Sequence, residues 1–208
     1  MAESPLVSAA RDWVVDNYPY NRHHLLRALE WLDHLAPAAS EGVRLAALTH
    51  DMERAFPGAD SPQMTTLDDP HYNQLHCERS ARIVTAWLRG RSAPEPLVSE
   101  VERLILAHET GGWDDADLVQ AADSLSFLDT NIDLFLGFVR SGRFPADAVR
   151  WKFQHTYDRI KVPHARALAG PLVTHAFNKL SALEQTLLES PAGANGNGQP
   201  IASAPSGD

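Results

Sequence analysis

Four histidines and one aspartate extend the apolar faces of five predicted helices. Each lies three or four positions from apolar neighbours and therefore shares a helix face with them. These residues are His24, His50, His76, His108 and Asp123, and Asp51 directly follows His50. A buried ionisable group costs free energy unless it is paired, hydrogen-bonded or bound to a metal. Because imidazole and carboxylate bind divalent ions, a shared metal centre would satisfy all of these groups.

A simpler interpretation exists for each histidine taken alone. One histidine at the end of an apolar stripe is more often a hydrogen-bonded core residue than a metal ligand. Packing alone, however, would leave buried polar groups on five helices without a common partner. His23 is an alternative to His24 but lies off the apolar stripe, and His71 could reach the site from a loop.

The elements that must position these residues are predicted to be helical. Apolar residues recur at spacings of three and four, and no sustained alternation predicts a strand. Seven or eight helices are expected, with prolines and glycines marking the breaks. They are predicted at 6–17, 25–35, 43–50, 72–89, 95–109, 116–140, 146–160 and 164–188. The polar loop at 56–70 is long for a helical protein, and such loops are often functional or mobile.

The chain of 208 residues is long enough for one sizeable core. We predict a single all-α domain over residues 1–189, with the metal-site core at about 20–130 and C-terminal helices at 140–189. Residues 190–208 are rich in Gly, Ala, Ser, Pro and Asn, which predicts a disordered tail.

The composition excludes several classes of partner. Hydrophobic residues make up 44% and charged residues 22%, as in soluble globular proteins. No apolar run is long enough for a membrane helix, and no secretory signal is recognisable. The net charge of -9 argues against general nucleic-acid binding. The single cysteine, Cys77, suits a reducing compartment. We therefore expect a cytoplasmic protein without a membrane partner, for which a homo-oligomer is a possible assembly.

The spacing of the candidate ligands resembles that of the HD-domain superfamily of metal-dependent phosphohydrolases. The resemblance covers roughly residues 20–130. It rests on the segments 24–27 (HLLR), 45–51 (LAALTHD) and 121–125 (AADSL). A His-Asp dipeptide alone is a weak signal, but here it follows an apolar helix and has the upstream histidine and downstream aspartate. The resemblance implies an all-α helical bundle of the HD type.

Two further histidines resemble the subgroup of this superfamily that holds two metals. A small-residue pair follows His76 by one turn, and His108 ends an apolar helix. The resemblance implies one ion bound by His24, His50, Asp51 and Asp123, with Asp51 bridging to a second ion at His76 and His108. The expected cofactors are two divalent ions, with Fe or Mn favoured and Mg, Co, Ni or Zn as alternatives.

The implied activity is hydrolysis of a phosphoester or phosphoanhydride in a small phosphorylated molecule, with a nucleotide as one candidate. Two ions about 3.5–4 Å apart can activate a bridging water, and the resulting hydroxide would attack phosphorus. The catalytic candidates are Asp51, Glu53, Arg54 and Glu109. Glu53 and Glu109 are candidate general acids, with surface exposure or helix capping as the alternative. Arg54 replaces a lysine of many two-metal members; since arginine keeps its proton, it suits substrate binding better than proton transfer.

A basic segment could hold the phosphate. The segment from residue 140 to residue 166 contains seven basic and two acidic residues. A solvated helix face explains this segment equally well, yet Arg159 and Lys161 adjoin a helix break at Pro163. The predicted substrate contacts are Arg27, Arg54, Arg159 and Lys161.

Two other functions are compatible with the same set of ligands. Some two-metal members of the superfamily use a di-iron centre to activate oxygen and cleave a C–C or C–P bond. A non-catalytic ligand-sensing module is a third hypothesis, against which the complete ligand set argues. The ligands alone do not separate a hydrolase from an oxygenase.

Overall fold

Every regular element in residues 3–189, the part of the chain that the computed structural model describes, is a helix. The nine α-helices are α1 (Pro5–Asn17), α2 (Arg22–Leu35), α3 (Glu41–Thr49), α4 (Pro70–Gly90), α5 (Glu95–Ala107), α6 (Asp114–Thr130), α7 (Ile132–Arg140), α8 (Ala146–Asp158) and α9 (Pro163–Glu189). A short 3-10 helix (Met52–Ala55) follows α3. The predicted all-α fold is confirmed. The tail predicted at 190–208 lies outside the described residues.

Local sequence signals define several helix starts. The Ser4 hydroxyl accepts a hydrogen bond from the Val7 amide at the start of α1. Ser40 caps α3 in the same way, and the Asp69 carboxylate accepts two backbone amides at the start of α4. Such caps satisfy amides that have no partner within the helix.

The stretch predicted as one helix at 116–140 forms two helices. α6 ends at Thr130 and α7 begins at Ile132, with the buried Asn131 between them. No proline or glycine marks this break, so the apolar pattern continues through it. Within residues 3–189 this break raises the number of α-helices to nine, whereas seven or eight were expected.

Two hydrophobic clusters share helix α6. The first contains residues of α1 to α5 together with the early part of α6. The second joins later residues of α6 to α7, α8 and α9. All residues of 119–128 are buried, so α6 is enclosed between the two clusters. Asp123 therefore lies in the interior, where the two halves of the molecule meet.

Within residues 3–189, none of the helices combines the length and apolar character needed to cross a membrane.

Candidate metal centre

The six predicted ligands converge from five helices and the turn after α3. His24 comes from α2, His76 from α4 and Asp123 from α6. His50 and His108 are the residues directly after α3 and α5, and Asp51 is the next residue after His50. All six are buried, with exposed fractions of 6% or less: His24 2%, His50 1%, Asp51 4%, His76 0%, His108 0% and Asp123 6%.

The imidazole Nε2 atoms face the two aspartate side chains. Oδ1 of Asp123 lies 3.1 Å from Nε2 of His24 and 3.3 Å from Nε2 of His50. Oδ1 of Asp51 lies 2.9 Å from Nε2 of His76, whereas its Oδ2 lies 4.0 Å from Nε2 of His24. Asp51 therefore stands between the His24 side and the His76 side of the centre.

Three overlapping groups of side chains have ligand atoms within 4.8 Å of one another. They are His24, His50 and Asp123; His50, Asp51 and His108; and His76, His108 and Glu109. These groups contain all six predicted ligands. They add Glu109, which the sequence had suggested only as a general acid. The structure thus contains buried residues that could hold metal ions.

Two of the histidines are locked into one tautomer by backbone carbonyls. Nδ1 of His50 donates to the carbonyl of Ala47 over 3.0 Å, and Nδ1 of His108 donates to that of Ile105 over 2.7 Å. Because a carbonyl only accepts, the proton of each neutral ring is on Nδ1. The Nε2 lone pair of each ring therefore points to the centre.

Side chains fix the other two histidines in the same tautomer. The Ser126 hydroxyl donates to the carbonyl of His24, so it can only accept the 3.0 Å hydrogen bond from Nδ1 of that ring. Nδ1 of His76 donates to Oε1 of Glu53 over 3.1 Å. Metal-binding histidines commonly donate their other ring N–H in this way.

Three of the inward-facing nitrogens, Nε2 of His50, of His76 and of His108, are buried and receive no proton from a donor among residues 3–189. With the ring proton on Nδ1, those of His50 and His76 face carboxylate oxygens, which cannot donate to them. Buried polar atoms are nearly always paired, so each of these atoms calls for a partner. Neutral imidazole and carboxylate form a donor set that suits divalent transition metals. The residues therefore fit the metal ions that the sequence suggested.

The charges of the centre shift the pKa values of its histidines in opposite directions. Burial alone would lower the pKa of His50, but the carboxylates of Asp123 and Asp51 raise it to about 9. Burial lowers the pKa of His108 to about 4, and the neighbouring His50 contributes to this shift. A proton at His50 thus compensates part of the buried negative charge.

Arginines keep both aspartates ionised. Burial alone would raise the pKa of each carboxyl, but Arg54 beside Asp51 and Arg159 beside Asp123 lower it well below the usual range. Nη1 of Arg54 donates to Oδ2 of Asp51 over 2.7 Å. Arg159 binds the carboxylates of Asp123 and Glu109, and its Nε donates to the Ser124 hydroxyl over 2.9 Å.

Glu53 lies behind His76, which argues against its predicted role as a general acid. Its Oε1 accepts from Nδ1 of His76, and its Oε2 accepts from Nη1 of Arg79 over 3.1 Å. Arg79 also donates to the carbonyls of Glu53 and Phe56 and to the Asp60 carboxylate. With both oxygens accepting hydrogen bonds, Glu53 is placed to position His76.

Two predicted substrate contacts are not brought to the centre. Arg27 pairs with Asp129 and Glu30 on the surface, at 2.6 Å in each case. Nζ of Lys161 lies 3.0 Å from the carbonyl of Thr110 and 3.3 Å from Oδ1 of Asp117. Neither residue lines the cavity beside the centre, so their positions give no support to the predicted role.

A cavity of about 310 Å³ opens beside the centre. Residues of the predicted 56–70 loop contribute to its wall, among them Pro62 and Leu67. We call the seven residues of the three ligand groups the metal end; four of them, His24, Asp51, Glu109 and Asp123, line the cavity. We call four other lining residues, Phe127, Phe135, Phe138 and Arg143, the aromatic end.

Lys152 is a residue of the cavity wall that sequence reasoning did not single out. It belongs to the basic segment, which was the only signal for it. Burial lowers its pKa, and its Nζ lies 5.7 Å from the centroid of the Phe127 ring. Tyr72, also in the wall, stacks on the His76 ring with a centroid distance of 5.9 Å.

The fold and the buried donors define an all-α protein with a candidate metal centre. Comparison with protein families gives a match over residues 4–176 to the model described as a domain of unknown function, DUF4202. Because the match covers most of the chain, the protein belongs to this family. Comparisons with curated proteins and with solved structures gave no match.

Proposed function

We propose that this protein is an HD-type metal-dependent phosphohydrolase that cleaves a phosphoester or phosphoanhydride of a small molecule. One observation carries the proposal: four histidine Nε2 atoms and ionised carboxylates converge beside a cavity whose wall also bears cations. The histidines and carboxylates are the groups that carboxylate-bridged metals need, and the cations are the groups that a phosphate needs.

We assign the donors to two positions. His24, His50 and Asp123 would hold one ion, and His76, His108 and Glu109 would surround the other, with Asp51 between them. Two divalent ions bound there would supply a nucleophilic water at neutral pH and neutralise phosphate oxygens. The hydrogen bonds at Nδ1 hold each imidazole in the orientation and tautomer that binding requires.

The protein's own cations would orient the phosphate. Arg54, Lys152 and Arg159 line the cavity near the ligands. Arg54 and Arg159 already pair with carboxylates, whereas Lys152 makes no ion pair within the described part of the chain. Glu109 and Asp123 act on the Lys152 ammonium only through space, so an incoming phosphate oxygen could contact it directly. Residues of the 56–70 loop form part of the cavity wall beside these cations.

Of the two glutamates considered as acids, Glu109 has the freer carboxylate. Arg159 binds its Oε2, while its Oε1 lies 3.9 Å from Nε2 of His108. Burial alone would raise the pKa of Glu109, but Arg159 and Lys152 lower it below the usual range. An ionised Glu109 is better suited to binding a cation than to donating a proton, so protonation of the leaving oxygen would fall to solvent.

Metal analysis combined with an activity screen tests the proposal. Purified protein should contain a transition metal and hydrolyse members of a phosphoester and nucleotide panel with Mn, Fe, Co, Ni or Mg. His50→Ala should lose both metal and turnover because it removes a donor to the centre. His175→Ala, which removes an exposed histidine on α9, is the matched control.

Full metal content and turnover in His50→Ala would contradict the assignment of the site. Oxygen consumption with an iron-loaded, coloured protein, without phosphate release, would favour the oxygenase instead.

A further inference from the structure

Two cations in the wall of the cavity make no direct ion pair with a carboxylate among residues 3–189. Lys152 and Arg143 line the cavity, and in residues 3–189 neither side chain forms an ion pair or a hydrogen bond. The other cavity-lining arginines, Arg54 and Arg159, both pair with aspartates. Unpaired cations in the wall of a cavity are suited to anionic groups of a ligand.

Aromatic rings connect these two cations. Lys152 lies over the ring of Phe127, which is one turn along α6 from the ligand Asp123. The ring centroids of Phe127 and Phe135 are 4.9 Å apart, and those of Phe135 and Phe138 are 5.2 Å apart. These contacts form a series from Lys152, through the three phenylalanine rings, to Arg143.

The exposed Arg143 is held by aromatic faces, and its N–H groups make no hydrogen bond among residues 3–189. Its guanidinium carbon lies 4.7 Å from the centroid of Phe138 and 5.4 Å from that of Phe144. A guanidinium stacked on rings keeps its N–H edge available, and that edge matches a carboxylate or phosphate in bidentate geometry. The acidic residues that line the cavity are Asp51, Glu53, Glu109 and Asp123, all within or behind the metal end.

We propose that the substrate carries two anionic groups separated by an apolar or planar body. This inference rests on the proposed function: the reacting phosphate would lie at the metal end near Lys152, and the second anion would bind Arg143. The body between them would lie against Phe127, Phe135 and Phe138. The volume of about 310 Å³ limits the ligand to a small molecule.

Two non-hydrolysable probes separate the contributions of the two ends. Benzylphosphonate carries the phosphate-like group and a ring, and 4-carboxybenzylphosphonate adds a second anion across the ring. Titration calorimetry with the full-length, Mn-supplemented protein should show the carboxylated probe binding about tenfold more tightly, as expected for one charge-assisted bidentate contact.

Arg143→Gln should abolish that preference while changing the affinity for benzylphosphonate by less than about twofold, because only the second anion loses a partner. Arg143→Lys should keep part of the preference, since it keeps the charge but not the bidentate edge. Arg140→Gln is the matched control: it removes the charge of an exposed arginine that does not line the cavity. It should leave both affinities unchanged.

An unchanged preference in Arg143→Gln, or no preference in the unaltered protein, would overturn this inference and leave the proposed function intact. Failure of both probes to bind, together with no phosphoester hydrolysis, would overturn the proposed function as well. The two hypotheses are therefore distinguishable in one series of measurements.

Discussion

The two ends of the cavity are built by different interactions. At the metal end, each histidine has its Nδ1 fixed by a hydrogen bond, and each aspartate pairs with an arginine. At the aromatic end, side chains are positioned by ring contacts, and Arg143 has no polar partner in the described structure. Polar networks fix direction, whereas apolar contacts mainly fix proximity.

This difference indicates that the two ends have different functions. A metal centre requires its ligands at defined distances and angles, and supporting hydrogen bonds provide that precision. Recognition of the rest of a substrate tolerates more changes of orientation, because apolar contacts have no preferred direction. We therefore expect changes at the metal end to affect metal content and turnover, and changes at the aromatic end to affect substrate affinity alone.

The largest effect is expected for Asp51→Asn. The substitution keeps the shape of the side chain but removes the charge between the two groups of histidines, so turnover should fall by at least about 10³-fold. Metal content by elemental analysis should fall with it. The exposed Asp133→Asn on α7 is the control and should retain both. Normal turnover in Asp51→Asn would show that the metal end is not the reaction centre.

A smaller effect is expected for Glu53→Gln. The change removes the carboxylate behind His76, and loss of such a supporting partner weakens metal binding by about 10–100-fold. Competition with a chelator measures the change. Glu78→Gln, at an exposed position on the same helix as His76, should behave like the unaltered protein. Equal affinities in the two variants would mean that Glu53 does not position the ligand.

Metal affinity should also depend on pH. In the metal-free protein the pKa of His50, which burial alone would lower, is raised to about 9 by Asp123 and Asp51, so the ring is protonated at pH 7. Metal must displace that proton, so affinity should rise toward pH 9, by about tenfold per pH unit for one proton. Calorimetry in buffers with different ionisation enthalpies counts the released protons. Binding heats independent of the buffer would refute this.

The smallest effect is expected for Phe138→Leu at the aromatic end. Loss of the ring beneath Arg143 should raise KM by about two- to fivefold, the range of an exposed cation–π contact. Metal content and kcat should stay the same. Phe177→Leu, half-buried on α9 and outside the cavity, is the control. Loss of metal in Phe138→Leu would show that the two ends are not separable.

The sequence was sufficient to predict the six residues that converge. Helical periodicity identifies the buried face of each helix, and a buried histidine without a local partner needs a distant one. His24, His76 and Asp123 could therefore be assigned to one centre before their helices were placed. The break at Asn131 could not be predicted, because neither a proline nor a glycine interrupts the pattern there.

Side-chain direction explains most of what the sequence did not predict. Arg159 and Lys161 are two positions apart after α8, and only Arg159 turns inward to Asp123. The net charge of a segment does not reveal which of its side chains points inward. Similarly, Glu53 faces His76 because the chain after Asp51 turns into a 3-10 helix, which the apolar pattern does not reveal.

Arg79 connects the metal end to the 56–70 loop, which forms part of the cavity wall. Its guanidinium holds the Glu53 carboxylate behind His76 and also the Phe56 carbonyl, where the loop begins. Escape of the metal and opening of the loop should therefore be reciprocally linked. A ligand that binds the closed loop more tightly than the open loop would raise the affinity for the metal, and the bound metal would slow amide hydrogen exchange along the loop.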